Sequence, residues 1–222
     1  MYWKELMHQC VEIGIGALPI VVIISLFLGA VTTVQTAYQL VSPLVPSSTI
    51  AQIVRDSMIL ELSPTVLSIV LAGVVGSKIA SELGNMRISE QIDALEIMGI
   101  NSKSYLILPK ILASLIVVPC LIVISAVLGI WGGRMAGSLT GIIAPDIFDI
   151  GLRKNLNEYN MVFAMYKAYT FAFILSSIPA YFGYYVKGGA LEIGRASTTA
   201  VVVSCILILF ADYALAAFFL PT

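Results

Sequence analysis

The sequence predicts an all-α integral membrane protein with five membrane-spanning helices, and its composition and its long apolar runs lead to that fold class. Hydrophobic residues make up 59% of the 222 residues and charged residues only 11%. The mean hydropathy is +0.98. Since a helix needs about 20 apolar residues to cross a bilayer, the chain has room for about five or six crossings. A large soluble domain is therefore excluded, and residues 1–222 are predicted to form a single transmembrane domain.

Each predicted crossing is an apolar run bounded by polar residues. The runs are Gly14 to Leu40, Leu62 to Ala80, Tyr105 to Gly133, Met161 to Val186 and Ala196 to Leu220. Gly14, Gly16 and Pro19 stand near the start of the first run, and such residues can bend or break a helix in a membrane. This run is too long for the core of a cleavable signal peptide, so it is expected to stay in the mature protein.

Residues 1–13 are predicted to form an interfacial helix that lies on the membrane. Tyr2, Leu6, Cys10 and Ile13 recur at helical spacing, while Trp3 belongs to a residue type that favours the membrane interface. The alternative interpretation is a frayed terminus.

Several classes of function are excluded by what the sequence lacks. The net charge is −1 and the twelve basic residues are scattered, so a nucleic-acid partner is not expected. Cys10, Cys120 and Cys205 are widely spaced and are interpreted as apolar packing residues. His8 is the only histidine, so neither a metal centre nor a catalytic triad is predicted. The segment around Gly189 and Gly194 lacks the Lys and Ser or Thr of a phosphate-binding loop.

A charged amphipathic segment separates the second and third crossings. Ser89 is predicted to cap a helix that ends at Gly99, and residues 83–98 are interpreted as a surface helix. Ile88, Ile92, Leu95 and Met98 are then expected on one face. The polar residues predicted for the contact with a partner are Glu82, Arg87, Glu90, Gln91, Asp93 and Glu96. Because this polar face is mostly acidic, docking of a protein explains it better than adhesion to anionic lipid, and a plain surface linker is the alternative.

The distribution of basic residues gives a weak preference for placing that segment in the cytoplasm. This side would hold Lys4, Lys78, Arg87, Lys103, Lys110, Lys187 and Arg195, and the other side Arg55, Arg134, Arg153, Lys154 and Lys167. The N-terminus is then inside and the C-terminus outside.

Three ionisable residues inside predicted crossings are candidates for a substrate site, because charges in a membrane are costly. Glu61, Lys167 and Asp212 have compatible depths toward the outer side, so they are expected to face one polar cavity. In this interpretation Lys167 is the point charge for a headgroup phosphate. An internal ion pair that fastens helices together explains these charges equally well.

Small residues at intervals of four predict close packing of helices. They are Gly129, Gly133, Gly137 and Gly141 in the third crossing, and Gly73, Ser77 and Ser81 in the second.

Three segments together resemble the MlaE family of ABC-transporter permeases. They are LSPTVLSIVLAGVVGSKIASELGNMRISEQIDALEIMGI, the GIWGG of residues 129–133, and GGALEIGRASTTAVV. The resemblance extends over nearly the whole chain. It implies a homodimeric permease in the bacterial inner membrane that moves phospholipids between membranes and supports the lipid asymmetry of the outer membrane.

The resemblance also implies partners and roles for residues. A separate ATPase subunit (MlaF-like) would bind ATP and dock on residues 83–98 as a cytoplasmic coupling helix, and the lipid cavity would open toward an Mce-domain protein (MlaD-like). No cofactor is expected in this chain. In the family, an acid at the start of span two and a lysine early in span four line the lipid cavity, and these are Glu61 and Lys167 here. Leu60 and Ser63 depart from the family motif around this acid.

Two other classes of function are alternatives. A nucleotide-independent secondary transporter or channel subunit would be indicated by inverted repeats or by charges across the membrane midplane, and neither is visible. A scaffold that only anchors partners would have no use for Glu61 and Lys167.

Overall fold

The computed structural model describes residues 2–40 and 46–219, and within these ranges the regular elements are helices. They are α1 (Tyr2–Gln39), α2 (Ser48–Ile88), α3 (Gln91–Ile97), α4 (Lys103–Leu139), α5 (Pro145–Arg153), α6 (Glu158–Tyr184) and α7 (Ala190–Phe219). Five of them, α1, α2, α4, α6 and α7, are long and apolar enough to cross a membrane. The predicted all-α class and the number of crossings are confirmed.

Helix α1 joins two predicted elements, the interfacial helix of residues 1–13 and the first crossing. It is 38 residues long and contains Pro19 in its interior. At 1.5 Å per residue it measures about 57 Å, nearly twice the thickness of the hydrocarbon core. The helix has no break at Gly14, Gly16 or Pro19, so the boundary expected after residue 13 is not the end of an element. The interfacial location of the first residues stays a prediction.

Helix α2 begins well before the predicted second crossing and contains π-helical turns. Its first part, residues 48–57, buries Ile50, Ala51 and Val54, although polar residues had hidden this part from the sequence pattern. The segment Met58–Val66 has π-type hydrogen bonding and contains Pro64. Because proline has no N–H to donate, a widened turn at this position accommodates the missing hydrogen bond.

The described part of the chain consists of two compact units, each assembled from segments that are distant in the sequence. The first unit comprises the described residues of the ranges 1–17, 68–120 and 167–222, and the second unit those of 18–67 and 121–166. The prediction of a single domain over residues 1–222 stays a prediction.

In the second unit, α1 and α4 pack closely through glycines. A Cβ on Gly29 would collide with the backbone of Gly129, and a Cβ on Gly133 with Thr33. The hydroxyls of Ser25 and Ser125 form a hydrogen bond of 2.7 Å between the same two helices. The packing role predicted for Gly129 and Gly133 is confirmed.

The last glycine of that predicted row has another role. Gly141 follows the end of α4, has a φ of +69°, and has open space where a Cβ would lie. It therefore permits a turn that other residues rarely adopt, and close packing is the wrong explanation for it.

Helix α5 is attached to α2 by buried polar groups and by apolar contacts. Arg55 is only 3% exposed, and its Nη1 donates hydrogen bonds to the carbonyl oxygens of Leu152 at 2.7 Å and Lys154 at 2.9 Å. Phe148 of α5 belongs to the same core as Val54 of α2. The side chain of Arg55 thus closes the C-terminal end of α5, a helix that the sequence pattern had not predicted.

In the first unit, close approach occurs at glycines other than those predicted. A Cβ on Gly183 would collide with the backbone of Ala80, and a Cβ on Gly76 would lie 3.0 Å from Pro179 Cγ. Gly73 has open space instead. The predicted packing role is therefore wrong for Gly73, because a side chain at this position would meet no neighbour.

The cysteines are free thiols. Cys120 is exposed, while Cys10 and Cys205 are partly buried. The interpretation as packing residues is therefore wrong for Cys120.

Candidate functional site

Lys167 and Asp212 form a buried ion pair between α6 and α7 in the first unit. The distance from Lys167 Nζ to Asp212 Oδ1 is 2.7 Å, and the side chains are 0% and 17% exposed. A lysine in such a place needs a carboxylate nearby, because an unpaired charge in an apolar interior is very costly. The structure thus brings these two predicted residues together. Their contact is an ion pair between two helices, which was the alternative interpretation of these charges from the sequence. Binding of a headgroup by Lys167 and Asp212 stays a prediction.

Glu61 belongs to the second unit and lies on the π-helical part of α2. Its side chain is exposed, and Thr65 Oγ1, one turn further on, donates a hydrogen bond of 3.4 Å to Glu61 Oε2. Ser63, which departs from the family motif, is completely buried. A role for Glu61 in substrate binding stays a prediction.

An apolar cavity of about 260 Å³ lies near this segment in the second unit. Ile59 and Ser63 of α2, Val123 and Val127 of α4, and Met165 of α6 contribute to its wall. Flexible methionines and branched aliphatic side chains suit a hydrocarbon chain rather than a charged group. The cavity has no signature in the sequence, because its residues look like ordinary apolar residues of membrane helices.

The predicted surface helix of residues 83–98 is two helical pieces separated by a turn. Helix α2 continues to Ile88, and the Ser89 hydroxyl donates a hydrogen bond of 2.7 Å to the carbonyl oxygen of Asn85. Glu90 then adopts a left-handed conformation with φ of 59°, and α3 begins at Gln91. The prediction that Ser89 caps the surface helix is wrong, because its hydroxyl closes the preceding helix instead.

The C-terminal end of α3 agrees with the prediction for Gly99. Gly99 has a φ of 78°, and its N–H donates to the carbonyl of Glu96 at 3.0 Å. The N–H of Ile100 donates to the carbonyl of Leu95 at 3.1 Å. These two bonds form a Schellman motif, in which glycine is favoured because the conformation is left-handed.

The predicted apolar face of this segment is not a single face. Ile92 is fully buried, whereas Met98 is 65% exposed and Ile88 is 37% exposed. The turn at residues 89–90 separates Ile88 from α3, and Met98 is the C-cap of α3, six residues after Ile92, so neither shares the face of Ile92. Ile92 anchors α3, and Met98 faces outward.

The polar residues predicted for docking fall into two groups. Arg87 Nη1 contacts Asp93 Oδ1 at 2.6 Å, and Glu82 Oε2 contacts Lys110 Nζ at 2.7 Å. Glu90 and Gln91 are exposed, and the described residues offer them no side-chain hydrogen bond or ion pair. Glu90 and Gln91 therefore offer a partner polar groups that make no side-chain contact among the described residues.

Glu96, the remaining predicted docking residue, is held by two hydroxyls of the first unit. Ser102 Oγ donates a hydrogen bond of 2.7 Å to Glu96 Oε1, and Tyr184 Oη donates one of 2.9 Å to the same oxygen. These hydrogen bonds hold the pKa of the Glu96 carboxyl below its usual value. Because the pKa is lowered, their stabilising contribution is fully present above the usual carboxyl pKa and is lost as the pH falls through the lowered value.

Lys110 is a buried residue that the sequence analysis placed only by its charge. It is 3% exposed, and besides Glu82 its Nζ contacts Gln9 Oε1 at 3.1 Å. Nearby, Lys78 Nζ contacts Glu12 Oε1 at 2.9 Å. These contacts attach the start of α1 to α2 and α4. Lys110 lies inside the predicted third crossing, so the argument that singled out Lys167 would also have found it.

Five long apolar helices, with buried ion pairs between them, define a multi-pass α-helical membrane protein. Within the described residues no group of three or more His, Cys, Asp or Glu side chains could hold a metal ion. Residues 6–218 match the family model described as Permease MlaE, and the chain belongs to this family. The expected class, a non-catalytic membrane component of an ABC transporter, agrees with that match.

Similar proteins occur in bacteria and in a plant. The chain is 38% identical over 213 residues to a probable ABC transporter permease protein of Rickettsia bellii, which covers 96% of this chain and 82% of the relative. It is 30% identical over 210 residues to a probable ABC transporter permease protein of Synechocystis, and this alignment covers 95% of the chain and 80% of the relative. The protein TRIGALACTOSYLDIACYLGLYCEROL 1, chloroplastic, of Arabidopsis thaliana is 32% identical over 219 residues, with 99% and 62% covered.

Proposed function

We propose that this chain is the permease subunit of an ABC transporter that moves phospholipids, and that it works as a homodimer with a lipid-binding cavity at the dimer interface. The observation that carries the proposal is the match to the MlaE permease family over residues 6–218. The name of the Arabidopsis relative, which is that of a diacylglycerol glycolipid, supports a membrane lipid as the substrate.

The proposal includes partners and a location. A separate ATPase subunit supplies the energy, and an Mce-domain protein exchanges lipid with the permease. The complex lies in the bacterial inner membrane, and the transport of phospholipid between the two membranes maintains the lipid asymmetry of the outer one.

The apolar cavity in the second unit and the ion pair in the first unit, each taken by itself, have chemistry that suits one part of a phospholipid. The apolar cavity beside Ile59 and Met165 suits part of an acyl chain. Glu61, Lys167 and Asp212 bind the polar headgroup, with its phosphate replacing Asp212 as the partner of Lys167. ATP binding and hydrolysis in the partner subunit shift the helices between states of different affinity for lipid.

The exposed turn between α2 and α3 supports docking of the ATPase. Glu90 and Gln91 project from a short segment that joins two membrane-crossing helices, so a force on this turn acts on both of them. Its charge is acidic, which favours a basic surface on the ATPase.

The docking role is tested by Glu90→Lys, with Glu158→Lys as the matched control. Both glutamates are exposed, neither has a side-chain ion pair among the described residues, and each substitution changes the charge equally. Co-purification of the ATPase subunit and lipid-stimulated ATP hydrolysis should fall about tenfold for Glu90→Lys, because a repulsive charge at an interface costs more than about 1 kcal/mol. The control should retain both. Equal values for the two variants would reject the docking role of this turn.

A further inference from the structure

A polar groove of about 240 Å³ in the first unit borders the docking segment through Arg87 and Glu96, and its lysines and tyrosines have no role in the proposed transport cycle. We name it the tyrosine groove, and it is lined by Arg87, Glu96, Lys103, Tyr184, Tyr185, Val186 and Lys187. Its walls carry three cationic side chains and one carboxylate. The balance of charge in the groove therefore favours an anionic ligand.

Two of these cations are not neutralised by the protein. Arg87 is paired with Asp93, and the carboxylate of Glu96 accepts hydrogen bonds from Ser102 and Tyr184. Within the described part of the chain, no carboxylate lies within 4.0 Å of the ammonium group of Lys103 or Lys187. Two positive charges thus remain available in a groove whose other charged groups are already satisfied.

The aromatic rings hold Lys103 at the groove. Its Nζ lies 5.7 Å from the ring centroid of Tyr184 and 5.6 Å from that of Tyr185. Tyr184 is itself 5% exposed and is fixed by its hydroxyl contacts with Ser102 and Glu96. Cation–π contacts of this kind keep an ammonium group in place while leaving hydrogen-bond donors available to a ligand.

The tyrosine groove lies where two membrane-crossing helices reach the surface. Lys103 is the first residue of α4 and Tyr184 is the last residue of α6. Tyr181 and Tyr185 are exposed, and their ring centroids are 4.9 Å apart, so an aromatic row leads from the groove back along α6 into the crossing. Tyrosines and basic residues together are typical of the headgroup level of a bilayer.

We propose that the tyrosine groove binds the phosphate of an anionic phospholipid. The two lysines neutralise the phosphate, and the exposed tyrosines contact the glycerol and the first methylenes of the acyl chains. The aromatic row favours this ligand over an acidic segment of a partner protein, because rings that extend along a crossing helix can contact a lipid in the bilayer but not a protein segment outside it. The lipid is a resident ligand beside the docking segment, so the proposal does not depend on lipid being the transported substrate.

The test compares Lys103→Gln/Lys187→Gln with the control Arg153→Gln/Lys154→Gln. All four side chains are exposed, so both double variants should fold. The full chain is purified in a mild detergent and titrated with phosphatidylglycerol or phosphatidylcholine, and bound lipid is counted by native mass spectrometry. The groove variant should bind phosphatidylglycerol at least about tenfold more weakly, because each basic residue near an anionic lipid surface contributes substantially to binding. The groove variant should bind phosphatidylcholine as before, and the control variant should bind both lipids as the native protein does.

Three results would overturn the proposal. The first is unchanged phosphatidylglycerol binding in the groove variant. The second is displacement of phosphatidylglycerol by an equal concentration of inorganic phosphate, which would identify a site for a free anion. The third is loss of ATPase association with lipid binding intact, which would assign the groove to an acidic partner protein. The first two results leave the Glu90→Lys experiment unaffected, and the third would extend the ATPase contact to the groove, so the two proposals can fail separately.

Discussion

At the scale of single residues, Lys167 and Lys110 show what a buried charge requires. Each ammonium group lies 2.7 Å from a carboxylate oxygen of another helix. The sequence predicted that Lys167 and Asp212 lie at similar depth, because both interrupt apolar runs. It could not predict that they contact each other, because depth along a helix does not say which way the side chain points. Lys110 was assigned to the cytoplasmic side by its charge, although it stands almost as far inside its apolar run as Lys167 does.

The function of the Lys167 pair can be separated from its contribution to stability by the double variant Lys167→Met/Asp212→Leu. Removing only Lys167 leaves a mostly buried carboxylate without its partner and should destabilise the protein by about 3–5 kcal/mol. Replacing both residues by apolar ones should be nearly neutral, because no buried charge remains. Thermal unfolding in detergent measures both effects.

The folded double variant then tests the headgroup role. If Lys167 binds the phosphate of the cargo, phospholipid that co-purifies with the double variant should fall several-fold. Phosphatidylglycerol bound in the tyrosine groove is counted separately through the Lys103→Gln/Lys187→Gln background. Unchanged retention of cargo lipid in the double variant would leave the pair with a purely structural role.

At the scale of elements, the apolar runs predicted where helices cross but not where they begin and end. A crossing needs about 20 apolar residues, and this physical requirement is visible in any window of the sequence. The start of α2 at Ser48 was missed because Gln52, Arg55 and Asp56 interrupt the apolar pattern, although Arg55 is buried through its contacts with α5. The end of α3 at Gly99 was predicted correctly, because a helix end of this type depends only on the backbone conformation of the glycine itself.

Glycines on α1 allow a matched test of helix packing. Gly29→Ala should destabilise the protein by about 2 kcal/mol or more, because the added methyl group collides with the backbone of Gly129, which cannot rotate away. Gly16→Ala, on the same helix, meets nothing within 4 Å and should be neutral or stabilise slightly through helix propensity. Thermal unfolding of the two variants gives the comparison. An equal effect of the two substitutions would contradict the close approach of α1 to α4 at Gly29.

At the scale of the whole molecule, the fold class and the number of crossings were predictable, and so was the family. The candidate site was predictable only in part, because a cavity of ordinary aliphatic residues has no signature in the sequence. The turn at residues 89–90 depends on a hydrogen bond from Ser89 to the preceding helix, and capping rules allow that hydroxyl to serve either helix.

The oligomeric state is the prediction that belongs to this scale. The proposed lipid cavity lies between two copies, so the complex extracted gently with its ATPase should contain two permease chains by native mass spectrometry. The two permease chains should stay together on dilution to nanomolar protein, because obligate interfaces are large and apolar. A complex with one permease chain would contradict the proposed homodimer.

The unbroken course of α1 has a mechanical consequence. Glu12 and Gln9 clamp its first turns to α2 and α4 beside the docking segment, while its remaining residues, from Leu18 on, belong to the second unit. One continuous helix therefore passes from the first unit into the second. Because helix formation is cooperative, opening of the clamped first turns would favour fraying of the turns that follow them.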